Sequence, residues 1–238
     1  MAWNAPPIVR VSALYRFPVK SLLGERVDRL SIGIRGVDGD RLYAVTDAAG
    51  KLGSHKETRR FAKLPNLFNM QARINEGDTR IVFPNGDELS AEDPDIHNRV
   101  SDIVGEPVTV KRETDVSHFD DGAIHIISTA SLNWLQSILP SSQVDALRFR
   151  SNVVIDCAGN GPVENDWLGK TLTAGSVAFD VTSKTERCVM TTLAQRSLPR
   201  DPEILTQIGR KADLNFGVYA RVSRAGTLAV DDEVVISG

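Results

Sequence analysis

The hydrophobic pattern of the chain is dominated by short runs of β-branched and apolar residues, separated by turns rich in Asp, Asn, Gly and Pro. Runs of this kind are typical of strands joined by tight turns. They lie at residues 9–17, 27–34, 41–46, 70–74, 79–83, 124–127, 153–155, 176–182, 216–222 and 227–236. Their density in the N-terminal third predicts a β-meander or a small barrel there.

A few segments instead space their apolar residues as a helix does. Residues 94–104 place them roughly on one face, and a glycine and a proline follow. A second segment ends at Pro140, and either Ser128 or Thr129 can cap its start. A third lies near residues 202–208. We therefore expect a mixed α+β, β-dominated fold with a few helices.

Composition and charge narrow the classes of function. The chain has 238 residues, of which 41% are hydrophobic, enough to bury a core. Its 28 basic and 31 acidic side chains give a net charge of −3, so no overall positive field attracts nucleic acid or an anionic membrane surface. The sequence shows neither a secretion signal nor an apolar run long enough to span a bilayer. We expect a cytoplasmic protein without nucleic-acid or membrane partners, in which any anion site is local.

The two cysteines limit the metal chemistry that the chain can hold. They cannot supply the four thiolates of an iron–sulfur cluster, so an external electron-donor protein would have to bring electrons. Cys157 follows an apolar run and is expected to be an inert core thiol. Cys188 follows Arg187, whose guanidinium favours the reactive thiolate form. The alternative is that Cys188 is a small buried hydrophobe.

Five sequence blocks occur in the order found in one protein family. They are Phe17-Pro18-Val19-Lys20-Ser21-Leu22-Leu23-Gly24, Gly39-Asp40-Arg41, Phe149-Arg150-Ser151-Asn152, Arg187-Cys188 with Thr191-Thr192, and Phe216-Gly217-Val218-Tyr219. The chain thereby resembles MOSC proteins with their N-terminal β-barrel domain, and is similar to the mitochondrial amidoxime-reducing components and their bacterial counterparts. The resemblance implies a β-barrel-like domain at residues 1–115 and a MOSC mixed β-barrel domain at residues 116–238.

The same resemblance implies a molybdenum cofactor, in which molybdopterin carries the metal. Cys188 would be the catalytic residue and the protein ligand of molybdenum, as soft thiolates suit such a centre. The residues expected to hold the cofactor are Lys20, Ser21, Arg41, Ser128, Arg150, Asn152, Arg187, Thr191, Thr192 and Tyr219. Without the resemblance, the cations would be ordinary surface charges, the hydroxyls local backbone partners, and the tyrosine a core aromatic.

The function implied is an oxidoreductase that removes oxygen from N-hydroxylated or N-oxide-like small molecules. The alternatives are a carrier of the cofactor or of activated sulfur on Cys188, and a small-molecule-binding barrel without chemistry. Outside the five blocks, the sequence favours a solvated loop for His55 and Lys56. It also favours a plain exposed loop for Glu164 and Asp166, because Gly161 and Pro162 precede them.

Overall fold

The computed structural model of the chain describes residues 9–238, in which strands dominate. The four α-helices of this range are α1 (Ile96–Val104), α2 (Thr129–Ile138), α3 (Ala146–Phe149) and α4 (Pro202–Ala212). The strands are β1 (Arg10–Arg16), β2 (Val19–Lys20), β3 (Glu25–Val27), β4 (Arg29–Gly33), β5 (Gly36–Val37), β6 (Tyr43–Thr46), β7 (Leu52–Ser54), β8 (Phe61–Lys63), β9 (Gln71–Asn75), β10 (Asp78–Val82), β11 (Glu88–Ser90), β12 (Thr109–Arg112), β13 (Ile124–Ser128), β14 (Val153–Asp156), β15 (Thr171–Ala174), β16 (Val177–Glu186), β17 (Asn215–Arg224), β18 (Gly226–Ala229) and β19 (Val234–Ser237). The predicted β-dominated fold class is confirmed.

The largest sheet contains eight strands in the order β19-β15-β16-β17-β13-β14-β1-β3. Only β13 and β14 run parallel in it, and the other neighbours are antiparallel. Val11 N donates to Asp232 O at 2.9 Å, and Val234 N donates to Val9 O at 2.8 Å. These bonds join β1 to the chain leading into β19, so the sheet closes on itself as a barrel. The first strand thus completes a barrel built largely from the C-terminal half, and the predicted domain boundary stays a prediction.

A second core lies in the N-terminal half, beneath the sheet formed by β2, β6, β7, β8 and β12 and the meander β9–β11. Leu22, Val45, Met70 and Ile81 are buried there, and Val100 of α1 packs against them. Helix α1 ends where predicted, at Gly105. This glycine has φ +88°, a conformation that satisfies the last turn of the helix with little strain.

Strand β13 is buried along its whole length because both of its faces are covered. Ile126 points into the barrel core, whereas Ile127 packs on the opposite face with Phe149 and Phe216 in the layer under α2, α3 and α4. His125 has the parity of Ile127, so it projects away from the barrel core. Ser128 caps α2 by accepting a bond from Ser131 N at 3.0 Å.

Two predicted strands differ in the structure. The run at residues 27–34 is divided at Asp28, because Val27 ends β3 and Arg29 begins β4. The run at residues 227–236 forms two strands, β18 and β19, instead of one. Asp231 has φ +69° and Asp232 accepts a bond from Ala229 N at 2.8 Å, so a turn breaks the run. In residues 9–238, no helix combines the length and the apolar character needed to cross a membrane.

Candidate functional site

A cavity of about 280 Å³ receives side chains from both the N-terminal strands and the barrel. The predicted site residues that line it are Lys20, Ser21, Arg41, Arg150, Arg187, Cys188 and Tyr219. It is also lined by residues that were not predicted to bind the cofactor, namely Ser54, Lys56, Asp120, Asp121, His125, Phe149, Glu186 and Met190. Five of the lining side chains are basic and three are acidic, so the wall carries a net positive charge.

Three of the lining residues have a backbone conformation that is unusual outside glycine. The φ angles of Ser21, Arg41 and Arg150 are +63°, +50° and +53°. This left-handed conformation costs a residue with a Cβ about 1–2 kcal/mol. Strain of this kind concentrates at functional sites, where the surrounding structure holds a side chain in a required position.

Arg41 is paired with a carboxylate buried behind it. Its Nη1 donates to Asp40, a residue with no exposed surface that also accepts from Phe17 N at 2.6 Å. Burial alone would lower the pKa of Arg41, but the Asp40 carboxylate, together with Asp120 and Tyr219, outweighs that effect and raises it. The Arg41 Nη2 donates to Arg150 O at 3.3 Å and links the two halves of the cavity wall.

Arg150 and Arg187 are half-buried cations whose hydrogen bonds are incomplete. Arg150 donates through Nη1 to Leu22 O at 2.6 Å and lies 4.4 Å from the centroid of the Phe17 ring, yet its buried Nη2 has no partner in residues 9–238. Arg187 donates through Nη2 to Phe149 O at 2.9 Å, and its buried Nε likewise lacks a partner there. Burial, together with repulsion from Arg41, lowers the pKa of Arg150 to about 9. Such donors are normally satisfied, so they indicate room for an acceptor from a ligand.

Lys20 is a buried cation on the same wall, with only 4% of its surface exposed. Its Nζ lies 2.9 Å from Oδ1 of Asp120, a half-exposed carboxylate on the segment between β12 and β13. Burial lowers the pKa of Lys20 to about 8 even though Asp120 favours the charged form. Asp120 compensates the charge of Lys20 only in part, so an anion bound at Lys20 would supply the remaining compensation.

Cys188 is half-buried on the cavity wall, just before the 3₁₀ turn Val189–Thr192. Thr191 fixes the backbone of Cys188, because its N and Oγ1 donate to Cys188 O at 3.1 and 3.0 Å. Thr192 Oγ1 donates to Val189 O at 2.8 Å. Both threonines are buried and do not line the cavity, so the structure places them in support of the cysteine turn.

Ser128 and Asn152, also expected to hold the cofactor, lie away from the cavity wall. Ser128 is fully buried and donates to Oε2 of Glu164 at 2.6 Å. Asn152 is buried as well, and its Oδ1 accepts from His125 N at 3.1 Å while its Nδ2 donates to Tyr15 O at 3.4 Å. The structure therefore places Ser128 in a buried network and Asn152 in a backbone clamp between β13 and β1.

The expectation of an exposed loop around Glu164 is wrong for this residue, which has no exposed surface. Its Oε2 accepts from Ser128 and from Ser131 Oγ, and its Oε1 accepts from Gly217 N at 3.1 Å. Burial raises the pKa of Glu164 above its usual range. Because all of these donors come from segments distant in sequence, the neighbouring Gly161 and Pro162 could not show that the carboxylate is buried.

Two further expectations fail in the loop after β7. Lys56 lines the cavity, and His55 is half-buried with its ring centroid 4.7 Å from that of Phe68. Burial, followed by repulsion from Arg150, lowers the pKa of His55 to about 4. His125 was also missed, although a single histidine inside an apolar strand is a signal that could have found it. Cys157 is half-buried and does not line the cavity, and burial raises the pKa of its thiol.

Two family models match the chain. The model described as the MOSC domain matches residues 113–235, and the model described as the MOSC N-terminal beta barrel domain matches residues 8–139. Each match covers more than half of the chain.

Curated relatives and a solved structure agree with these matches. The chain is 32% identical over 120 residues to the molybdenum cofactor sulfurase of Drosophila pseudoobscura pseudoobscura, covering 50% of this chain and 14% of that protein. It is 24% identical over 281 residues to the molybdenum cofactor sulfurase of Danio rerio, covering 93% of this chain and 34% of that protein. The chain thus spans about a third or less of these relatives. The crystal structure of the YUAD protein from Bacillus subtilis has a TM-score of 0.56 at 16% identity, covers 97% of this chain and 96% of its own, and shows a shared fold.

Proposed function

We propose, from the premise that this chain belongs to the MOSC domain family, that its cavity binds a molybdenum cofactor with Cys188 as the metal ligand. We further propose that the protein is an oxidoreductase that reduces N-hydroxylated or N-oxide-like small molecules. One observation carries the proposal. A half-buried thiol and two arginines, each with a buried N–H group that has no partner in residues 9–238, line the same positively charged cavity.

The residues on the cavity wall fit the chemistry of such a cofactor. A phosphate needs cationic donors, and the unpartnered Nη2 of Arg150, together with Lys20, can supply them. The sulfur and oxo ligands of molybdenum accumulate negative charge, which the Arg187 guanidinium beside Cys188 would offset. Ser21 and Tyr219 add neutral donors on the same wall.

When bound, the cofactor would supply a two-electron redox centre that takes an oxygen atom from the substrate. Cys188 would bind the metal through its sulfur and release the thiol proton on doing so. Each turnover would need two electrons and two protons, delivered with the help of an external electron-donor protein, and would release the substrate oxygen as water. The basic side chains of the wall would hold the phosphate end of the cofactor.

The test is the molybdenum and pterin content of protein expressed in a molybdate-fed host that makes the cofactor. We expect near-stoichiometric molybdenum and pterin in the unmodified protein, and loss of metal and of N-hydroxy reduction in Cys188→Ser, whose melting temperature should equal that of the unmodified protein without cofactor. Cys157→Ser is the matched control, because this second cysteine lies off the cavity wall, and it should keep both. Metal or activity retained in Cys188→Ser would overturn the assignment of the ligand.

Sulfur transfer is the second candidate function, because the curated relatives are molybdenum cofactor sulfurases and Cys188 is an accessible thiol in a cationic cavity. In this function Cys188 would accept a sulfur atom from a donor persulfide as its own persulfide and pass it to an acceptor. Mass spectrometry of the intact protein after incubation with a persulfide donor distinguishes the two functions. A persulfide on Cys188 in protein that holds no molybdenum would favour sulfur transfer.

A further inference from the structure

We infer that His125 is a positioning residue that orients the Arg187 guanidinium beside Cys188. The inference deepens the proposed function, on which its cofactor measurement rests. It assigns a role to a residue outside the sequence blocks that identified the site, and it rests on two sets of contacts around one imidazole ring.

The first contact is the bond to the guanidinium itself. His125 lies on β13 with 3% of its surface exposed, and its Nε2 is 3.3 Å from Nη1 of Arg187. A guanidinium has donors only, so in this contact Nε2 is the acceptor and the proton of the neutral ring lies on Nδ1, which has no partner in residues 9–238. Burial, reinforced by the charge of Arg187, lowers the pKa of His125 well below its usual value, in agreement with a neutral ring.

The second set of contacts fixes the ring in place. Gly217 on β17 has φ +88°, and a Cβ at this position would lie only 2.4 Å from Nε2 of His125. The glycine is held in turn, because its N–H donates to the buried Glu164 carboxylate. On another side, the ring centroid of Tyr219 lies 5.4 Å from that of His125. These neighbours leave the imidazole little freedom to turn away from Arg187.

The consequence of these contacts is a fixed guanidinium plane. With Nη1 on His125 and Nη2 on Phe149 O, Arg187 is anchored by two of its three nitrogens. Its Nε is then the buried donor without a partner in residues 9–238, on the wall that also carries Cys188. Removing the acceptor at His125 would free Nη1, and the guanidinium could then swing toward the Asp120 carboxylate in the same cavity.

A matched pair of amides tests this role. The side-chain amide of Gln ends as far from the backbone as Nε2 of histidine does, whereas that of Asn reaches only the position of Nδ1. His125→Gln should therefore keep an acceptor for Arg187, and His125→Asn should lose it, although both introduce the same neutral group. Partners that orient ligand-binding groups typically change affinity by about 10- to 100-fold. We expect molybdenum and pterin retention to fall at least about tenfold in His125→Asn relative to His125→Gln, at similar melting temperatures. Equal retention in the two variants would overturn the inference.

A spectroscopic measurement separates this inference from the proposed function. In ¹⁵N-histidine NMR of the purified protein, assigned by loss of the signal in His125→Gln, Nε2 should be an unprotonated acceptor at neutral pH. Its resonance should shift in Arg187→Met as the bond is lost. If the unmodified protein held no molybdenum or pterin, the proposed cofactor would fail, yet the NMR result would still decide the His125–Arg187 contact. A protonated Nε2, or no response to Arg187→Met, would refute the positioning role.

Discussion

The cavity and the buried network around Glu164 are two polar clusters connected by the same strand, yet they differ in how completely their hydrogen bonds are made. His125 of β13 lines the cavity, whereas Ser128, at the end of β13, donates to Glu164. The Glu164 carboxylate accepts three hydrogen bonds. In the cavity, buried N–H groups of Arg150 and Arg187 have no partner among the described residues. A satisfied buried cluster stabilises the fold, and an unsatisfied one indicates a ligand.

Two arginines two positions apart repeat this contrast. Arg148 has no exposed surface, and it donates to the carbonyl oxygens of Gln143, Leu193 and Pro199 at 2.8, 3.2 and 2.8 Å. It thereby ties the segment after the Cys188 turn to the region of α3. Arg150 is half-buried, and its buried Nη2 has no partner in residues 9–238. The two arginines differ in burial and in the completeness of their hydrogen bonds, and only Arg150 lines the cavity.

The largest expected effect follows from removing the centre of the satisfied network. Glu164→Ala leaves the donors of Ser128, Ser131 and Gly217 without their acceptor, and each unsatisfied buried group costs about 1–3 kcal/mol. The free energy of unfolding should fall by about 4 kcal/mol, as measured by urea denaturation. Glu164→Gln, which keeps one acceptor oxygen, should lose less. A loss below about 1 kcal/mol in Glu164→Ala would contradict the structural role of the network.

Burial of the Lys20 ammonium should destabilise the folded protein when no anion is bound, in contrast to the stabilising network around Glu164. The pKa of Lys20 is about 8 in the folded protein against an ordinary value of 10.5. Between these values the unfolded chain binds a proton that the folded chain does not, so stability should rise as the pH rises from 8 to 10.5. The rise attributable to this group is roughly 3 kcal/mol.

Urea denaturation at several pH values between 7 and 10.5 measures this dependence, with Lys20→Met as the comparison. The variant should lack the part of the rise that Lys20 contributes. A bound anion should reduce the same rise in the unmodified protein, because it raises the pKa of Lys20 again. Parallel stability curves for Lys20→Met and the unmodified protein would show that the buried ammonium is already compensated.

The arginine pair gives a smaller but more specific effect. Hydrogen bonds to charged groups contribute about 1.5–3 kcal/mol, so Arg150→Met should reduce cofactor retention by about 10- to 100-fold. The unloaded variant should unfold at a similar or higher urea concentration, since a cation with a buried, unpaired N–H group is removed. Arg148→Met should do the reverse and lose stability while its folded fraction keeps the cofactor. If Arg150→Met and Arg148→Met changed stability and cofactor retention in the same way, the proposed difference between the two arginines would be refuted.

The smallest effect is expected at Ser128, which the sequence placed at the cofactor and the structure places in the network. Ser128→Ala removes the cap of α2 and one bond to Glu164, and losing such a cap costs about 1 kcal/mol. Its molybdenum and pterin content should stay within about twofold of the unmodified protein, because the residue is off the cavity wall. A tenfold loss of cofactor at unchanged stability would instead indicate that Ser128 binds the cofactor.

The sequence alone determined the features that depend on local spacing and on residue type. Alternation and turn residues predicted a β-dominated fold, Gly105 marked the end of α1, and Ser128 was one of two residues predicted to cap α2. Because these features depend on neighbours within a few positions, the chain carries them wherever it folds. The ordered blocks also placed Cys188 and the cations in one family pattern.

Only the tertiary structure decided which polar residues share the cavity, because contacts between distant parts of the chain form it. Lys20 meets Asp120 across 100 positions, and Arg41 meets Arg150 across 109. Such pairs leave no periodic or local signal, so Asp120 and His125 were missed. Glu164 was misplaced for the same reason, since its burial depends on donors 33 to 53 positions away. Residue type showed what chemistry was available, but the packing of the barrel against the N-terminal strands decided which groups were left without partners.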